Sequence, residues 1–186
     1  MTAPWPYPAP EDCGGARHLA SGQHVPDLAL QSTAGGEVSL AGLQGLAIVF
    51  VYPWTGRPGL PNPPNWDAFP GAHGSTPQAE GFRGLHAEFS ALGTSVFGLS
   101  AQSSVDQREL ANRLSLPFPL LSDAGRLFQR ALALPVFETG GVTYLKRLTL
   151  VLSDGAIVRT FFPVHPPDAH AAEVLGWLRA DGVRSA

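Results

Sequence analysis

The run Ala72-His73-Gly74-Ser75-Thr76-Pro77-Gln78 joins a Pro- and Gly-rich stretch to an amphipathic one. Ser75 or Thr76 can cap a helix there, and Pro77 falls in the first turn, where its missing N–H is not needed. Ser75 with Gln78 also fits a capping box. A reactive side chain at position 75 would then sit at a helix N-terminus, in a positive local field that favours an anion. A serine hydrolase is a poor fit, because Gly74-Ser75-Thr76 lacks the second glycine of a nucleophile elbow. His73 borders the run and reads as a solvated loop residue. Cys13 is the one cysteine in the chain, so an internal disulfide and a cysteine-rich metal site are both excluded. It reads as an incidental exposed thiol. His165 and His170 flank a later helix start without metal-ligand spacing and read as surface residues. No metal and no cofactor are expected.

The elements that must position Ser75 follow from patterning. Ahead of it, Leu46-Ala47-Ile48-Val49-Phe50-Val51-Tyr52 is continuously apolar, as a strand covered on both faces should be. Pro53 to Gly74 is a long Pro-rich loop, of a length that is usually functional or mobile. Trp54 and Trp66 within it suit a pocket lining or an interface. After Ser75, apolar residues at Phe82, Leu85, Phe89 and Leu92 predict one helix with a buried face. Upstream, residues 1–21 are a Pro/Gly-rich extension, flexible or lying along the body. A domain of residues 22–182 then begins with a short hairpin that turns at Gly35-Gly36.

Downstream, Ser95–Ser100 is a buried strand, Ser103 or Ser104 caps a helix to Leu114, and Leu116–Leu121 is short and extended. Asp123 caps a third helix whose shared face is Leu127, Phe128, Ala131 and Leu134. Leu145–Leu152 and Ala156–Phe162 are strands joined by the Asp154-Gly155 turn. Asp168 caps the last helix, with Ala171, Val174, Leu175 and Leu178 inward. Such alternation implies an α/β fold: a central mixed sheet flanked by helices.

The chain is 186 residues long with a formal net charge of −3, which suits one domain with an ample core. Without a basic patch or a long apolar run, neither nucleic acid nor membrane is an expected partner. A cytosolic setting is the expectation, and the oligomeric state is left open.

The order of elements and several phrases resemble the peroxiredoxins of the AhpC/TSA type, thioredoxin-fold thiol peroxidases, and among them the bacterioferritin-comigratory or peroxiredoxin Q type. The phrases are Val25-Pro26-Asp27-Leu28 with Val38-Ser39-Leu40, Val49-Phe50-Val51-Tyr52-Pro53, Gly98-Leu99-Ser100, Leu116 to Asp123, and Lys146-Arg147-Leu148-Thr149-Leu150-Val151. The resemblance implies a thioredoxin-like fold, a hydroperoxide substrate and an external thiol reductant such as thioredoxin. It places the peroxidatic cysteine at position 75, where this chain has Ser75, and a resolving cysteine of this type at position 80, which is Glu80. Arg147 matches the catalytic arginine, and Pro53 and Thr55 could supply the remaining site roles only across the long loop. Peroxide reduction needs a thiolate that can become a sulfenic acid, and a serine oxygen has no such chemistry. The chain as written is therefore expected to be inactive, whether Ser75 is an engineered Cys→Ser change or a natural degeneration. The alternative is a non-enzymatic thioredoxin-fold binding protein whose Pro- and Trp-rich loop recognises a partner.

Overall fold

The computed structural model describes residues 5–182. Seven strands form one sheet in the order β2-β1-β5-β4-β3-β8-β9. They are β1 (Ala29–Ser32), β2 (Glu37–Ser39), β3 (Leu46–Val51), β4 (Thr94–Ser100), β5 (Leu120–Ser122), β8 (Leu148–Ser153) and β9 (Ala156–Phe161). At the centre, β3 pairs in parallel with β4 and antiparallel with β8, so the sheet is mixed. The apolar run of β3 is covered on both sides, as its continuity required. Ala47, Val49 and Val51 enter one core cluster, and Ile48, Phe50 and Tyr52 enter the other.

Five α-helices cover the sheet: α1 (Ser75–Gly84), α2 (His86–Ala91), α3 (Ser104–Arg113), α4 (Leu127–Leu132) and α5 (His170–Trp177). The single helix expected after Ser75 is broken at Leu85, whose φ of −103° and ψ of 8° lie outside the α region. Phe82 and Phe89 are nevertheless both buried on the sheet, and the Phe82 ring stacks on Phe50 at 4.7 Å.

Local capping differs from the expected pattern at three of four helices. Ser103 does cap α3, its side chain accepting from the Asp106 N–H. At α1 the cap residue is Gly74, Ser75 is the first helical residue, and the capping box with Gln78 does not form. Asp123 lies ahead of α4 yet serves it, its carboxylate accepting from the N–H groups of Phe128 and Gln129. Asp168 does not cap α5, where Ala169 takes the cap position. In α4 the inward residues are Phe128 and Leu132. Leu127 is 58% exposed and Ala131 also faces out, which corrects the face assigned from periodicity.

Two larger departures shape the site. The expected strand Leu145–Leu152 is divided. Its first part belongs to a separate hairpin of β6 (Val136–Thr139) and β7 (Val142–Leu145). Its remainder is β8, and Lys146-Arg147 is the link between them. That hairpin carries Phe137 and Tyr144 against Trp66 of the long loop, with Trp66 buried on Tyr144 at 5.0 Å. The loop is thus packed, with a 3₁₀ turn at Trp66–Ala68, and is anchored by the Thr139 hydroxyl donating to the Pro64 carbonyl. The extension also lies on the body. Ala16 and Leu19 are buried in the core, and the Gly71 N–H donates to the Pro8 carbonyl.

Phe82 joins α1 to the sheet, so truncating it leaves a cavity under the site. Phe82→Ala should lower stability by about 3–5 kcal/mol, read from urea unfolding as a shifted midpoint at constant slope. A loss below about 1 kcal/mol would mean that this stack does not hold α1 in place.

Candidate active site

Gly74 lets the chain turn sharply into α1. Its φ is 105°, and a Cβ there would lie 2.1 Å from Pro167 Cγ and 2.8 Å from Trp5 Cζ2. Both the left-handed backbone and the close neighbours require glycine. Ser75 follows at the first helical position, 4% exposed.

Arg147 reaches Ser75 from the link between β7 and β8. Its Nη2 lies 3.1 Å from Ser75 Oγ, 3.0 Å from the His73 carbonyl and 3.3 Å from those of Gly71 and Ala72. Four oxygens surround a nitrogen that has two hydrogens to give, so these bonds are shared. Nη1 donates to Gln78 Oε1 one helical turn along, and this bond takes the side chain that the capping box would have used. The guanidinium is 3% exposed and pairs with no carboxylate among the described residues. Burial pushes its pKa down to about 9, which still leaves it charged at neutral pH. A buried cation without a counter-ion costs several kcal/mol, offset here only by neutral oxygens. Its field and that of the α1 N-terminus converge on Ser75 Oγ.

A pocket of about 270 Å³ opens onto Ser75. Its aromatic walls are supplied by Trp54 and Trp66 from the loop and by Trp5 and Tyr7 from the extension, and the rest of the lining is largely polar or small. Thr55 lines it too, held by Gln102, whose Oε1 accepts from the Thr55 N–H and hydroxyl at 2.8 and 3.2 Å. Pro53 is buried behind this wall, its carbonyl accepting from the Ser100 hydroxyl at 3.3 Å. So the structure gathers Ser75, Arg147 and Thr55 at one place and puts Pro53 in their support rather than on the pocket surface.

Two histidines differ from their sequence reading. His73 is not a solvated loop residue: it stacks on Tyr7 at 3.7 Å and its Nε2 lies 2.7 Å from Asp67 Oδ1. His170 is 1% exposed, with Nε2 at 2.9 Å from Thr149 Oγ1 and Nδ1 at 2.9 Å from Glu173 Oε2. The signal was in its spacing, since His170, Val174 and Leu178 share the inward face of α5 and its continuation. Among the described residues no group of three or more His, Cys, Asp or Glu side chains is placed to hold a metal ion.

A Redoxin family model matches residues 20–175, which takes in Ser75, Arg147 and every strand of the sheet. The chain belongs to the Redoxin family. Within it, this redoxin is of the peroxiredoxin Q or bacterioferritin-comigratory type, and thiol peroxidase activity is what the family supports. The chloroplastic peroxiredoxin Q of Sedum lineare is 29% identical to the redoxin over 164 residues, covering 87% of this chain and 79% of that protein. Among solved structures, peroxidoxin BcpB of Mycobacterium tuberculosis superposes with a TM-score of 0.71 at 27% identity, covering 88% of this chain and 99% of the other. The bacterioferritin comigratory protein of Xanthomonas campestris gives 0.67 at 25% identity, over 87% and 98% of the two chains. The thioredoxin-like mixed sheet expected from the sequence is thus the fold of this redoxin.

Burial lowers the pKa of His170, and the nearby Arg147 charge lowers it further against the pull of Glu173. The folded chain therefore holds the ring neutral at a pH where the unfolded chain protonates it. The stability that this gives is full above the unfolded value of about 6.5 and falls as pH drops below it. His170→Gln should flatten that part of the stability–pH curve measured by thermal unfolding. An unchanged slope between pH 6.5 and 5 would show that His170 does not set it.

Proposed function

We propose that this chain is a peroxiredoxin-like hydroperoxide site in which Ser75 occupies the place of the attacking sulfur, so that the chain as written does not turn over peroxide. The observation that carries the reading is the 3.1 Å approach of Arg147 Nη2 to Ser75 Oγ at the start of α1. A thiolate at that atom would meet a buried cation and a helix N-terminus, both of which favour the anion over the thiol. In that version the sulfur attacks the distal peroxide oxygen and becomes a sulfenic acid, and the O–O bond breaks to release an alcohol or water. Arg147 would steady the thiolate and the departing oxygen, as preorganised donors do. Thr55 would face the substrate from the pocket wall, and Pro53 would hold that wall.

The substrate is a hydroperoxide, and the Xanthomonas relative is described with alkyl peroxide reduction activity. An external thiol such as thioredoxin would reduce the sulfenate, since position 80 carries Glu80 and no second cysteine exists in the core domain. A cytosolic setting is part of the proposal and rests on the lone cysteine. A second reading, a binding protein without turnover, draws on the aromatic walls contributed by Trp54 and Trp66.

Ser75→Cys decides between them. With a thiol reductant it should consume hydroperoxide where the unaltered chain does not, form a sulfenate detectable by dimedone, and titrate below the ordinary cysteine value of about 8.5. Adding Arg147→Ala should cut its rate by about a hundredfold or more while the far-UV spectrum stays unchanged. If Ser75→Cys neither consumes peroxide nor forms a sulfenate, the binding protein is the correct reading.

A further inference from the structure

A second cavity touches Arg147 without sharing a lining residue with the Ser75 pocket. It has a volume of about 420 Å³ and lies between the extension, the long loop and the β6–β7 hairpin. Its walls are chiefly apolar. Phe69, Val136, Phe137 and Phe162 line it, and each is only half-buried, so apolar surface faces the void. Its charged side chains are Lys146, Arg147 and Glu11, two cations against one acid. Neither cation pairs with a carboxylate among the described residues, and the polar partner within reach of Lys146 Nζ is Cys13 Sγ at 3.9 Å. Arg147 Nε is buried with no hydrogen-bond acceptor. The cavity thus offers a greasy lining and one uncompensated positive charge, the form of a small-molecule site with few convergent polar groups.

We propose that this cavity binds a small organic carboxylate with an apolar body. The carboxylate meets the Lys146 ammonium at the Arg147 end, and the body lies on Phe69, Phe137 and Phe162. A single negative charge matches the excess of one cation over Glu11, and burying an apolar body there removes the exposed ring faces from water. Cys13 is a bystander on the wall and therefore a built-in reporter, exposed in the free protein. Arg147 links this cavity to Ser75, and the test leaves Ser75 uncharged, so its outcome does not rest on the peroxide reading.

The test uses the full chain, octanoate as probe, octanol as its uncharged counterpart, and iodoacetamide alkylation of Cys13 as readout. Octanoate should bind saturably by calorimetry, one per chain, and slow Cys13 alkylation several-fold with the same midpoint. Octanol should bind more weakly. Lys146→Gln should weaken octanoate about fivefold without changing octanol, and Lys146→Arg should restore most of the loss. Absent or unsaturable binding, binding without protection of Cys13, or octanoate affinity unchanged in Lys146→Gln would each overturn the proposal.

Discussion

Arg147 brings a full positive charge into an interior that gives it carbonyls, one amide oxygen and one hydroxyl, but no carboxylate. Most of the local architecture can be understood as the means of keeping that charge where it is. The carbonyls come from the three residues ahead of Gly74, so the end of the long loop must hold a fixed shape. Gln78 must give up its role at the helix start to face the guanidinium. Position 75, where the α1 dipole and the cation meet, becomes a place whose electrostatics ask for an anion. Serine satisfies one hydrogen bond there and leaves the field unanswered.

The sheet and the hairpin divide the work of holding this arrangement. β3 and β8 run side by side through both core clusters and fix the base of Arg147 relative to α1. The β6–β7 hairpin does something different. By leaving the sheet just before Arg147, it lets the chain reach back over the loop and bury Trp66 against Tyr144. That contact, with the Thr139–Pro64 and Gly71–Pro8 hydrogen bonds, anchors the segment that carries the carbonyls of residues 71–73.

Much of this was legible in the sequence because it rests on short-range chemistry. The two-faced strand at 46–52, the Asp154-Gly155 turn and the Ser103 cap each depend on a few neighbouring residues, and each formed within a residue or so of its expected bounds. What stayed hidden depends on contacts between distant parts of the chain. The expected strand at 145–152 is divided because its first residue, Leu145, pairs in the β6–β7 hairpin; the charged pair Lys146-Arg147 was the local mark of a break, but one charged pair also fits a strand that continues through it. The failure of the Ser75–Gln78 capping box has the same origin, since a charged group 69 residues away takes the glutamine. His170 lacks metal-ligand spacing, which suggests a surface residue, yet its helical spacing with Val174 and Leu178 puts it on the inward face of α5. Ser75 and Arg147 were paired through family resemblance alone, and no local signal in either residue would have brought them together.

The stretch from Trp5 to Pro10 has a practical consequence. Trp5 touches the turn at Gly74, Tyr7 lies flat on His73, and Pro8 is tied to Gly71 through the backbone. Trp5 and Tyr7 are therefore part of the pocket wall. A change of side chain at Trp5 or Tyr7 is, for this molecule, a change in the shape of the Ser75 pocket.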